Sequence, residues 1–220
     1  MSNSAGADAK VMQKAKALAD KAAARHQDGD LEGAEKLYRR ALRLAHHVPQ
    51  LHGAVAELYE DLGDPGRAAA HYRQAVKLAP GLFPGWLNLG ACLHDLGELD
   101  EAEAALRRAM TLKPREPLVF YNLAGVLDAK GESNGAIASY EAALKLKPEF
   151  PEARNGLGNV LRAMGHPELA IEHFEAAVAL KPDYAEAQAS LAACREALGK
   201  GGVAGISLGL GGGAGPGSGA

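Results

Sequence analysis

FPGWLNLGACLHDLGELDEAEAALRRAMTLKPRE, residues 83–116, is one period of a 34-residue beat that runs through the chain. Pro84 stands near the start, where the first turn of a helix tolerates proline. Trp86, Leu89, Gly90 and Leu93 recur at three- and four-residue spacing and make one apolar helical face. Gly97 predicts the stop of that helix, because glycine enters the left-handed region at no steric cost. Asp100 is placed to cap a second helix. Ala102, Leu106, Ala109 and Leu112 form the apolar stripe of that helix, and Pro114 ends it, since the residue before proline is biased away from helical angles. The stretch reads helix, turn, helix.

The same letters return in phase on both sides. Gly29, Gly63, Gly97, Gly131, Gly165 and Gly199 keep the step of 34, as do the columns that begin at Ala34, Ala41, Leu44 and Pro80. A fixed period of this length means stacked supersecondary units, none of which can bury its apolar face alone. First helices share a small residue at Ala22, Ala56, Gly90, Ala124, Gly158 and Ala192, and second helices share the Ala34 column. Two small columns let two helix backbones approach closely. Tyr38, Tyr72, Leu106, Tyr140 and Phe174 fill the space beside them.

Trp86-Leu87-Asn88-Leu89-Gly90, Ala102, Ala109 and Pro114 resemble the signature of the tetratricopeptide repeat. The resemblance implies an all-α fold, a right-handed superhelical α-solenoid of antiparallel helix pairs. Five repeats fit, at 15–48, 49–82, 83–116, 117–150 and 151–184, followed by a capping helix at 185–198. Residues 1–14 are an N-terminal flank, partly helical or disordered. Residues 199–220, half of them glycine, are expected to be a disordered tail. Lys21, Arg25 and Arg195 replace apolar residues of the inner units, and His46 replaces the proline. A solenoid needs polar outer faces at its ends, so both ends read as caps.

Composition bounds the function. The formal net charge of −3 argues against a general nucleic-acid binder. There is no long apolar run for a membrane span and no secretory signal at the N-terminus, so a soluble, cytoplasmic protein is expected. Cys92 and Cys194 lie three repeats apart at one repeat position, too far for a disulfide, and read as packing residues.

The chain holds no phosphate-binding glycine loop, no H-E-x-x-H, no C-x-x-C and no G-x-S-x-G elbow. The eight histidines do not converge by spacing, and zinc needs three or four ligands together. No enzymatic activity, no metal and no cofactor are expected.

What remains is a surface. In the family resembled, first helices line the concave face of the superhelix. The inner positions then carry Glu57, Asp61, Leu87, Asn88, Asp95, Tyr121, Asn122, Asp128, Asn155, Asn159 and Arg162 as candidate partner-binding residues. Asparagine can clamp an extended peptide backbone, because its amide both donates and accepts. An asparagine ladder of this kind resembles the repeats of O-linked N-acetylglucosamine transferases. Leu87 and Tyr121, with small Ala91 and Gly125 beside them, resemble an apolar anchor pocket. The carboxylates favour a ligand of basic character. A carboxylate clamp of the cochaperone type does not fit, because its first lysine and asparagine would fall on Ala19 and Ala23.

The expected function is a non-catalytic scaffold or adaptor that binds a protein or extended peptide in its groove. Two alternatives stand beside it. One is a substrate-recognition module for a separate glycosyltransferase or methyltransferase. The other is a scaffold that self-associates weakly through its solenoid ends.

Overall fold

The computed structural model describes residues 2–206, and side chains from residue 8 to residue 199. Among them are eleven α-helices and no strand. The chain divides into two compact units, one ending at Glu132 and the other beginning at Ser133.

The first unit holds α1 (Ser2–Gln27), α2 (Leu31–Ala45), α3 (Pro49–Asp61), α4 (Pro65–Leu78), α5 (Phe83–Asp95), α6 (Leu99–Leu112) and α7 (Pro117–Ala129). Helices pack as the consecutive pairs α1–α2, α3–α4 and α5–α6, and each second helix also packs on the first helix that follows. The second unit holds α8 (Ser133–Leu146), α9 (Pro151–Ala163), α10 (Pro167–Leu180) and α11 (Ala185–Ile206). There α9 packs on both α8 and α10, and α11 lies against α10 and α9.

The glycine column does what its spacing predicts. Gly29, Gly63, Gly97, Gly131 and Gly165 all have φ between 68° and 84°. At α5 the Gly97 amide donates to the His94 carbonyl and the Glu98 amide to the Leu93 carbonyl, at 2.9 Å each. This pair of bonds closes the last turn of the helix on itself, and it repeats after α1, α3, α7 and α9. Gly199 keeps the beat but not the role. It lies inside α11, which continues to Ile206 beyond the end expected for a capping helix. Residues 207–220, the rest of the expected tail, lie outside the described residues.

Second-helix starts differ from the expectation. Asp100 is no cap, because α6 already begins at Leu99 with Glu98 before it. The capping column is Asp30, Asp64, Glu98, Glu132 and His166. Asp30 and Asp64 accept from the backbone amides of Gly33 and Arg67, at 2.9 Å each. Glu98 and His166, with longer side chains, make no such bond. Asp100 instead meets Lys130 at 2.8 Å.

The proline column ends second helices cleanly. Ala79, Lys113 and Lys181, each before a proline, have extended φ of −136° to −138°. At His46, where proline is missing, φ is −64° and α2 runs one residue longer than α4.

The small columns are sealed. Ala22, Ala34, Ala56, Ala68, Ala102, Ala124, Ala136 and Ala170 are fully buried, as are Ala41, Ala75, Ala109, Ala143 and Ala177. Tyr72, Leu106 and Phe174 are buried beside them. Cys92 and Cys194 are free thiols inside this packing, and burial pushes the Cys92 thiol up to about 11. No described helix is long and apolar enough to cross a membrane.

Candidate functional site

Positions outside the columns carry whatever the stack does not use. In the first unit these inner positions fall on α1, α3, α5 and α7. The structure puts a cavity of about 650 Å³ there. One wall is α1, through Met12, Ala15, Ala19 and Ala23; the other is α3, through Gln50, Leu51 and Ala54. Tyr38, Ala45 and Val48 form the floor, and Lys16 and Asp20 stand at the rim. Most of the exposed lining is apolar, and Ala15, Ala19, Ala23 and Ala54 leave the space between the walls unfilled. A cavity of this size lies within the range of ligand pockets.

Alongside the cavity the same helices turn acidic. Glu57 lies one helical turn beyond Ala54, and Glu60 and Asp61 one turn further. Burial pushes the Glu60 carboxyl up. A hydrogen bond from the Tyr72 hydroxyl, at 2.7 Å, pulls it back, while Glu57, Asp61 and Asp95 push it up again. The Tyr38 phenol in the cavity floor is raised first by burial and then by the Glu57 charge. His26 on α1 meets Asp61 at 2.6 Å, and His94 meets Asp95 at 3.5 Å.

Among the described residues no lysine or arginine pairs with Glu57, Glu60, Asp61 or Asp95. Several other carboxylates of the unit are matched. Arg73 bonds both Glu98 and Glu101, Lys130 bonds Asp100 and Glu103, and Arg67 bonds Asp64 at 2.6 Å.

Glu57, Asp61, Asp95 and Asp128 are exposed. Tyr121 and Asn122, on α7, are half-buried. Asn88 is half-buried and donates its amide to the Tyr72 hydroxyl at 3.3 Å, so it extends the Tyr72–Glu60 chain of hydrogen bonds. Leu87 departs from the expectation. It is only 8% exposed, because an apolar side chain on α5 buries itself against the neighbouring helices rather than standing in water.

In the second unit Asn155 departs too. It is 3% exposed, and its amide donates to the Tyr184 hydroxyl at 3.3 Å and to Glu186 at 2.8 Å. It ties α9 to the start of α11 rather than facing solvent. Asn159 accepts from Ser190 and from Arg162, both at 3.4 Å, and Arg162 is exposed.

The cavity itself is absent from the expected residues. Its signal is a set of inner positions that carry no side chain beyond Cβ: Ala19, Ala23 and Ala54. Among the described residues no group of three or more histidine, cysteine or acidic side chains could hold a metal ion.

The family model described as the cilia and flagella-associated protein 70 C-terminal domain, a tetratricopeptide-repeat model, matches residues 1–208. No curated protein matches the chain. Among solved structures, the MamA protein is 25% identical, with a TM-score of 0.71, covering 79% of this chain and 95% of its own. PilF of Pseudomonas aeruginosa is 22% identical, with a TM-score of 0.70, covering 90% and 92%. YrrB, described as a TPR protein with an unusual peptide-binding site, is 20% identical, with a TM-score of 0.67, covering 79% and 89%.

Proposed function

The chain belongs to the tetratricopeptide-repeat family of the cilia and flagella-associated protein 70 C-terminal domain, and from that premise we propose that it is a non-catalytic scaffold that binds a protein or peptide on the inner face of its first helices. The observation that carries this reading is the open cavity between α1 and α3. The alanines of the packing columns are closed by their neighbours, whereas Ala19, Ala23 and Ala54, which line the cavity, remain half-buried.

The chemistry of the cavity suits an anchor residue. Full burial of a leucine- or phenylalanine-sized side chain contributes about 1.5–3 kcal/mol. Interfaces take most of their energy from a few such anchors in desolvated pockets. Asn88, Tyr121 and Asn122 lie on α5 and α7 of the same unit, where they would meet the continuation of an extended ligand. YrrB offers a precedent for peptide binding on this fold.

The experiment is affinity purification from the native host with wild type and with Ala19→Leu/Ala23→Leu, which fills the cavity from α1. The expected result is loss of specific partners with an unchanged helical spectrum. Identical partners for both proteins would refute binding at this face.

A further inference from the structure

We propose that the α1–α3 groove takes a peptide segment of a partner protein that seats one bulky apolar side chain among Ala19, Ala23 and Ala54 and lays a lysine or arginine against Glu57 and Glu60. This rests on the reading that the inner face of the first helices binds a partner, and it adds the chemistry of that partner.

Two features of one seam carry the inference. The first is the cavity, whose exposed lining is almost wholly apolar, with Tyr38 and Gln50 as polar side chains inside the charged rim. It has room for an apolar side chain and no charged group inside the rim to pair with a buried charge, which would be costly there. The second is the charge beside it. Glu57 and Glu60 lack a cation, whereas Glu35, Glu101 and Glu103 on the second helices pair with Arg67, Arg73 and Lys130. Glu57, Asp61 and Asp95 all raise the Glu60 carboxyl, so these charges are close enough to repel one another. A ligand cation would remove that repulsion.

The two features also have a fixed spacing. Three to six residues along α3 separate Ala54 from Glu57 and Glu60, about 5–9 Å at the helical rise. An extended peptide advances about 3.3 Å per residue. The cation therefore lies about two or three residues from the apolar anchor. Acidic peptides and nucleic acids are repelled by the same charges. The glycine-rich segment 199–220 of this chain is the competing occupant. It offers Val203, Ile206, Leu208 and Leu210, but no cation after Lys200, so it leaves the acidic half of the groove unmatched.

The test is selection of short random peptides on the immobilised full chain, followed by fluorescence anisotropy with the enriched sequences. The expected winners carry an apolar residue with lysine or arginine about two or three positions away. Glu57→Gln/Glu60→Gln should weaken them about tenfold, the sum of two exposed ion pairs. Gln keeps an acceptor for the Tyr72 hydroxyl, and added salt should weaken binding in the same direction. Ala19→Leu/Ala23→Leu should abolish binding. Ala54→Leu, on the opposite wall, is the second cavity-filling variant should the first not fold.

Winners without cations, or a 199–220 peptide that binds as tightly and ignores Glu57→Gln/Glu60→Gln, would overturn the cationic assignment and leave the groove reading intact. Winners that bind the filled variants unchanged, or no enrichment on wild type, would overturn both.

Discussion

Gly90→Ala tests the close packing on which the helix pairs depend. A Cβ at Gly90 would lie 2.5 Å from Leu106 Cγ, 2.8 Å from Cδ2 and 3.3 Å from the Ala102 carbonyl oxygen. Leu106 is fully buried, so its branch has no open side to swing into, and the carbonyl belongs to a helix backbone. Overpacking of this kind costs about 1–3 kcal/mol. Alanine in place of glycine returns about 1 kcal/mol of helix propensity. The net change is then about 0–2 kcal/mol of destabilisation. Gly53→Ala on α3 isolates the propensity term, because nothing lies within 4 Å of its Cβ. The difference between the two variants is the steric term alone, about 1–3 kcal/mol. Urea denaturation followed by circular dichroism reads it as a midpoint above wild type for Gly53→Ala and below it for Gly90→Ala. Adding Leu106→Ala to Gly90→Ala should cost less than the two changes summed, as expected of residues in contact. The packing argument fails if Gly90→Ala is as stable as Gly53→Ala.

Gly97→Ala should destabilise by about 1 kcal/mol, the penalty of a Cβ in the left-handed region, with Gly97→Asn milder; equal urea midpoints for all three would contradict the role given to φ of +74°. His71 packs against His52, with Nδ1 atoms 3.0 Å apart, and burial, then the His52 ring, holds its pKa below the ordinary 6.5. Its contribution to stability is complete above pH 6.5 and is lost as pH falls from there toward the folded value, because only the unfolded chain takes up the proton. His173 acts in the same sense, so His71→Gln/His173→Gln should flatten the dependence of the midpoint between pH 7 and pH 5. In a Cys194→Ser background, Cys92 should react with thiol reagents at pH 8 only on unfolding, since a thiol near 11 is about one-thousandth thiolate there.

The beat made the fold legible because each of its columns answers a local requirement. A positive φ at Gly97 demands glycine, a 0% exposed Ala102 demands a small side chain, and Pro114 forces Lys113 out of the helix. Requirements of this kind repeat wherever the geometry repeats, so they show as periodic letters. Features that depend on the length of a side chain were less legible. Aspartate at 30 and 64 reaches the amide three residues on, while glutamate at 98 of the same column does not and bonds Arg73 instead. Leu87 shows another limit. The inner repeat position identifies a face of α5, but a leucine there has enough reach to bury itself, where Ala19 at the equivalent position of α1 stays half-open. Asn155 shares that position again and spends its amide on Tyr184 and Glu186. The cavity was hardest to see, because it is made of missing atoms. Alanine at 19, 23 and 54 looks like helix filler in sequence and becomes a cavity lining only when two walls of it face each other.

The division between columns and inner positions also divides stabilising from costly features. Outward carboxylates are cross-bonded between helices, as Arg73 to Glu98 and Glu101 and Lys130 to Asp100 and Glu103. Inward ones are left to repel, with Glu60 pushed up by burial and by three neighbours of like charge. Beside them an apolar cavity stands open to water. Unmatched charge and uncovered apolar surface each lower the stability of the isolated chain. Neither is required by the stack, whose sealed alanine columns and closed glycine turns are complete without them. A partner that fills the cavity and neutralises Glu57 and Glu60 would offset both costs in one contact. On the proposed reading, binding energy at this face would come from interactions that the folded chain leaves unmade.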